Sequence, residues 1–190
     1  VDGLSSEVKK DTKITGGGNL ILGSESFKNA ELKGNTGDGS SITYELTGGA
    51  TMANTNSNRY FRWTTVGAYV AKGVTLCLSV MYKPVSGADE FCMEIAYTAG
   101  YSTSQSWATI KPTDQLEIEQ TDGWVLRYGL WTPPDNATLK LVDMGSGTTH
   151  AGTGNYTNKF SLLHPMLQYG NAPTAWNASS GDYLTQESAK

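Results

Sequence analysis

Apolar and polar residues alternate in short runs along this chain, and hardly anywhere do they recur at helical spacing. Val74, Leu76, Leu78, Val80 and Tyr82 fall on one face of a run whose other face is Thr75, Cys77, Ser79 and Met81. Period two is the signature of a strand. A Pro/Gly-containing turn over residues 84–89 follows. Phe91, Met93, Ile95 and Tyr97 then alternate against Glu90, Cys92, Glu94 and Ala96. Two long alternating runs around one turn predict an antiparallel hairpin, placed near the middle of a sheet.

The same pattern predicts further strands at Asn19–Leu22, Ser41–Thr47, Arg59–Trp63, Leu116–Glu119, Trp124–Trp131 and Ala137–Leu141. A closing strand begins at Phe160, Leu162 and His164, and Pro165 interrupts its ladder, which predicts an edge position or a bend. Loops are expected over residues 48–58, 99–106 and 143–159, which are rich in Gly, Ser, Thr and Asn. About eight to ten strands and no convincing helix predict an all-β fold, a two-sheet antiparallel β-sandwich, of which a jelly roll is one form. Residues 1–15 are polar, with Leu4 and Val8 at the spacing of one helical turn, and read as a linker or the end of an upstream stalk. Gly16, Gly17 and Gly18 open a single sandwich domain running to residue 179, and residues 180–190 read as a linker to a downstream segment. With Val rather than Met first, the chain reads as an excised piece of a longer protein.

Composition narrows the chemistry. The 22 glycines and the low charged fraction of 17% suit short strands joined by tight turns. A net charge of −4 offers no footprint for nucleic acid. No apolar run is long enough to span a bilayer, and no signal peptide is visible. The two cysteines, Cys77 and Cys92, read as free, partly buried thiols. Of the two histidines, His150 lies in a Gly/Thr loop and His164 precedes a proline, and no metalloprotease, nucleophile-elbow or phosphate-loop motif is present. Glu90 with Glu94, and Glu117 with Glu119, share strand faces that read as the solvent side. The expectation is a chain that is not an enzyme and carries no cofactor. Asp38, Asp89, Asp143 and Asp182 are placed where a structural calcium could be held, without the Asp-x-Asp-x-Asp run that would support one.

Aromatic residues carry the functional signal, with 5 Trp, 10 Tyr and 4 Phe. Phe91, Trp124, Tyr128 and Phe160 lie on strongly alternating apolar faces and read as core. Tyr60, Trp63, Tyr97, Tyr101, Trp107, Trp131 and Tyr156 sit in polar company. A flat exposed ring can stack on the C–H face of a sugar while neighbouring polar side chains bond its hydroxyls. Tyr101 and Trp107, with Gln105 and four Ser or Thr residues between them, have that chemistry. Of these, Trp63, Tyr97, Tyr101, Trp107, Trp131 and Tyr156, together with Gln105, are the candidate sugar-binding residues.

Three stretches resemble a known family. "HPMLQYGNAPTAWNASSGDY" matches a closing-strand pattern P-x-L-x-x-G-x-x-x-T-x-W at Pro165, Leu167, Gly170, Thr174 and Trp176. With "GGGNLILGSESF" (16–27) and "DGWVLRYGLWTPPDNATLKL" (122–141), it resembles jelly-roll, carbohydrate-binding-like modules of bacteriophage tail fibres and minor tail proteins. The resemblance implies a non-catalytic adhesion module on the virion tail, contacting host cell-surface saccharide. Other fibre segments, and further copies in a homotrimer, would be its protein partners. The alternatives are a structural spacer or oligomerisation domain of the fibre that binds no sugar, and an ancillary carbohydrate-binding module of a secreted bacterial glycosidase.

Overall fold

A computed structural model describes residues 18–35, 37–147 and 154–179. The two proposed linkers, the Leu4–Val8 turn, Asp182 and His150 lie outside the described residues. Among the described residues eleven strands form: β1 (Glu31–Asn35), β2 (Ser41–Tyr44), β3 (Ala50–Thr64), β4 (Tyr69–Val70), β5 (Leu76–Gly87), β6 (Phe91–Ala99), β7 (Gln105–Ile110), β8 (Leu116–Glu119), β9 (Val125–Trp131), β10 (Ala137–Ser146) and β11 (Tyr156–Tyr169). All pairings are antiparallel. The first sheet runs β8-β9-β5-β11-β3-β2. The second runs β7-β6-β10-β3-β1, with β4 also on β10. Successive strands cross repeatedly from one sheet to the other, so the fold is a two-sheet antiparallel sandwich of jelly-roll type.

The sheets share β3. Its residues 50–57 pair with β2 and β11, and residues 58–64 pair with β1 and β10. Residues 48–58, expected as a loop, are therefore mostly strand. Their polar side chains misled because they are satisfied inside the sandwich. Asn54 donates to Asn158 Oδ1 at 2.9 Å, and its own Oδ1 accepts from Ser57 Oγ at 3.1 Å and Arg59 Nε at 3.0 Å. A buried polar group that is fully bonded costs little. Conversely, Asn19–Leu22 is not a strand. It contributes a single bridge, Ile21 to Thr65, and a bond from Leu20 N to Leu167 O.

The expected hairpin does not form. β5 pairs with β9 and β11, whereas β6 pairs with β7 and β10 in the opposite sheet. Residues 88–90 are an arch between sheets. Asp89 holds it, accepting from Phe91 N at 3.2 Å and from Arg127 Nη1 at 2.9 Å. Across the arch Tyr82 and Phe91 face each other at 5.1 Å, each coming from its own sheet. Alternating runs on either side of a turn satisfy an arch as well as a hairpin, because both bury one face of each strand.

Aromatic clusters anchor the core. Phe27 packs edge-on against Phe61 and Trp63 at 5.0 and 5.2 Å. Tyr82, Phe91 and Phe160 meet in a second cluster. Burying such a side chain stabilises by roughly 1.5–3 kcal/mol.

The closing motif has a physical explanation. Pro165 lies not at an edge but in a central strand, at a bulge between Leu163 and Met166 where His164 takes φ +58°. A bulge excuses the missing N–H. The chain then returns over the outer face of the first sheet. Trp176 Nε1 donates to Pro165 O at 3.1 Å, Thr174 donates to Gln168 Oε1 at 2.7 Å, and the His164 and Trp176 rings stack at 4.5 Å. Asn19 completes the latch by donating to the carbonyls of Pro165 and Asn177. Cys77 and Ser79, on that outer face, are consequently buried. Neither cysteine forms a disulfide, and burial pushes the Cys77 thiol up to about 12.

Candidate functional site

The outer face of the second sheet carries charge where a sandwich exterior is usually neutral or solvated. Phe61, Trp63, Val142, Met144, Met93 and Ile95 take the inward phase of β3, β10 and β6. The register then dictates what faces out. One row crosses the sheet as Thr109, Glu94, Asp143, Arg62 and Glu31. Beside it run Trp107, Ala96, Leu141 and Thr64. Gln105, Thr98, Thr138 and Tyr69 form the next row, and Tyr60 and Lys33 flank the charged row on its other side. Alternate residues on a strand are about 6.8 Å apart, so these four rows span about 20 Å.

Arg62 organises the face. Its Nε and Nη2 donate to the two carboxylate oxygens of Asp143 at 2.8 and 2.9 Å. Its guanidinium also lies 5.7 Å from the Tyr60 ring centroid and 5.5 Å from that of Trp107. Donating to the Asp143 carboxylate raises the guanidinium above its ordinary pKa, outweighing desolvation. Bidentate pairing fixes the plane of the guanidinium, and the two rings fix its position. Asp143 is 0% exposed while Arg62 keeps 19% of its side chain accessible, so the carboxylate is desolvated and the pairing geometry must offset that cost. Glu94, directly opposite Asp143, is also fully buried, which corrects the expectation of a solvent-side acid.

The sequence-predicted residues separate clearly. Gln105 and Trp107 lie on this face, Gln105 exposed and Trp107 half-buried. Tyr101 is fully exposed on the β6–β7 connection, where with Tyr69, Asp135 and Asn136 it lines a hollow of about 370 Å³. Trp63 is 1% exposed on the core face and offers no ring to a ligand. Tyr97 is likewise buried, tilted against Trp131 at 4.6 Å, and the half-buried Trp131 is thereby committed to packing at that end of the sandwich. Tyr156 is half-buried at the start of β11, paired with Ser57 of β3 and away from the Arg62 row. Trp124 and Tyr128, expected in the core, are half-buried on the first sheet instead. Arg62, Glu94 and Asp143 were missed as candidate site residues. Their signal is a charged residue repeatedly set in the outward phase of otherwise apolar strands.

Of the aspartates considered for calcium, Asp143 is bound by Arg62 and Asp89 by Arg127, while Asp38 is exposed. Among the described residues no cluster of three or more His, Cys, Asp or Glu could hold a metal ion. Nor is any described helix long and apolar enough to cross a membrane.

No protein-family model matches the sequence, and no curated protein matches it either. Solved structures are similar in architecture. The enzymatically active domain of tailspike protein 4 from bacteriophage CBA120 is 11% identical over 80% of this chain and 21% of its own, with a TM-score of 0.48. The CBM22-1 xylan-binding domain of Paenibacillus barcinonensis Xyn10C is 15% identical over 82% of this chain and 98% of its own, with a TM-score of 0.41. The family 11 carbohydrate-binding module of Clostridium thermocellum, solved with a β-1,3-1,4-mixed-linked tetrasaccharide, is 16% identical over 83% of this chain and 98% of its own, with a TM-score of 0.40. The chain spans about a fifth of the tailspike chain it matches.

Proposed function

We propose that this chain is a non-catalytic carbohydrate-binding module of a phage tail fibre or tail-tip protein, holding host cell-surface saccharide along the outer face of the second sheet. The observation that supports it is the Arg62 guanidinium, fixed by Asp143 and flanked by the Tyr60 and Trp107 rings. Trp107 supplies a stacking surface for a pyranose ring. Gln105, Thr98, Thr109 and Arg62 supply hydrogen bonds to its hydroxyls in the adjoining rows. Tyr69 and Tyr101 extend the platform to one end. Asp143 acts as a support for Arg62 and not as a general acid, because both its oxygens accept from the guanidinium. Weak binding at one site is sufficient where several copies act together, since linkage raises the effective concentration.

The test is binding of the purified protein to polysaccharide from candidate host cells, beside a Trp107→Ala variant. Saturable binding that the variant loses supports the reading. Its absence in folded protein sinks it. A second reading is a structural spacer of the fibre that assembles as a trimer. It draws on the edge of the first sheet, where Leu116, Ile118 and Leu130 are exposed. Sedimentation of the protein would show the trimer that this reading needs.

A further inference from the structure

The tail does not cover the whole outer face of the first sheet. Beyond it, a cavity of about 340 Å³ opens between the sheet and the β2–β3 turn, which contributes Glu45 and Thr47. Its floor follows from register. Thr51 of β3, Ser161 of β11 and Lys83 of β5 lie side by side across three strands. Trp124 stands beside Lys83 at the entry to β9, since Val125 pairs with Tyr82. The Lys83 ammonium lies 6.0 Å over the Trp124 ring. Lys159, one row along β11, brings a second ammonium.

Three polar groups in this cavity have no ion-pair or hydrogen-bond partner among the described residues. Neither Lys83 nor Lys159 makes an ion pair there, and the Lys83 ammonium contacts only the Trp124 ring. The Trp124 indole N–H likewise has no hydrogen-bond partner among the described residues. Two cations against the single carboxylate of Glu45 make the lining net positive in a chain of net charge −4. The Thr51 and Ser161 hydroxyls, bonded to each other at 2.6 Å, form a polar floor with lone pairs to spare. The volume sits near the lower end of the roughly 300–1,000 Å³ usual for ligand pockets, which suits one or two sugar rings.

We propose that this cavity is a second saccharide site, selective for a pyranose that carries a carboxylate, as in a uronic acid. Trp124 stacks on the ring, Lys83 and Lys159 donate charge-assisted bonds to the carboxylate, and Thr51 and Ser161 meet the hydroxyls. The site lies on the opposite sheet from the Arg62 row and does not depend on it. A chain with both sites can grip neutral and acidic segments of one polymer, or two polymers, with one sandwich.

The experiment is a titration of the 190-residue protein with digalacturonate, diglucuronate, neutral galactobiose and triglutamate, read by the indole NMR resonance of Trp124. The expected result is a saturable shift with at least one uronate dimer, weakening as salt rises. Galactobiose and triglutamate should bind at least tenfold more weakly. The double variant Lys83→Gln, Lys159→Gln should lose at least tenfold in affinity for the uronate, and Trp107→Ala should change it less than twofold. No shift with either uronate, equal binding of galactobiose or triglutamate, or an unaffected double variant would each overturn the proposal. Host-polysaccharide binding lost on Trp107→Ala tests the Arg62 face separately, so either site can fail alone.

Discussion

The two outer faces of the sandwich are treated in opposite ways. On the first sheet the chain covers itself. The tail crosses β11 and β5, latched through Trp176, Thr174 and Asn19, and buries Cys77 and Ser79 beneath it. On the second sheet the exterior is built of charge, with Arg62, Asp143 and Glu94 in register across adjacent strands. A tail fastened mostly by bonds to backbone carbonyls needs only one docked conformation. A buried charge needs its partner in one fixed place. The difference shows where geometry is most tightly specified: on the face whose cost of misplacement is highest.

Removing the key group from each face should separate them. Arg62→Ala leaves Asp143 buried without its cation, and should cost about 3–5 kcal/mol in denaturant unfolding. Loss below about 1 kcal/mol would mean that the carboxylate finds solvent, and that the face is less closed than its burial indicates. Trp176→Ala should cost about 2 kcal/mol, since it removes one hydrogen bond and the ring stacked on His164. Its more specific readout is thiol labelling. Cys77, beside Gln168 on the latched face, should react faster in the variant, while Cys92 on the other sheet should not change. Trp107→Ala should leave unfolding within about 1 kcal/mol while weakening saccharide binding about tenfold, the worth of one stacked ring.

The smallest effect is in pH. Burial lowers the pKa of His164 from its ordinary value of 6.5. The unfolded chain therefore binds a proton more readily than the folded one. Stability from this group is complete above about pH 6.5 and declines as pH falls toward the lower folded value. His164→Gln should remove that dependence from the unfolding curves between pH 7 and 5. A slope unchanged by the substitution would place its origin in other groups.

Strand positions were legible because alternation is a local property. The partner of each strand was not. The run ending at Tyr82 and the run starting at Phe91 read alike whether paired or arched, and what decides is Asp89 meeting Arg127 from a strand far along the chain. The site was half legible for the same reason. Gln105 and Trp107 stand out in a polar stretch, but Trp63 looked equivalent until its phase was known. It shares the inward phase with Phe61, while Tyr60 and Arg62 take the outward one. Glu94 read as a solvent-side partner of Glu90, and Asp143 as a loop aspartate. Only cross-strand register brings them to one row with Arg62. Polar satisfaction at a distance likewise concealed the first half of β3, since Asn158 lies more than a hundred positions after Asn54.

That strand has a mechanical consequence. A sandwich whose sheets are joined only by loops can slide or part layer by layer, each layer keeping its own ladder. Here β3 runs without a break from one ladder into the other. A pull that unzips residues 50–57 from β11 also loads residues 58–64 against β10. The two layers are thus connected in series through one backbone, and the sandwich should yield to force in a single step.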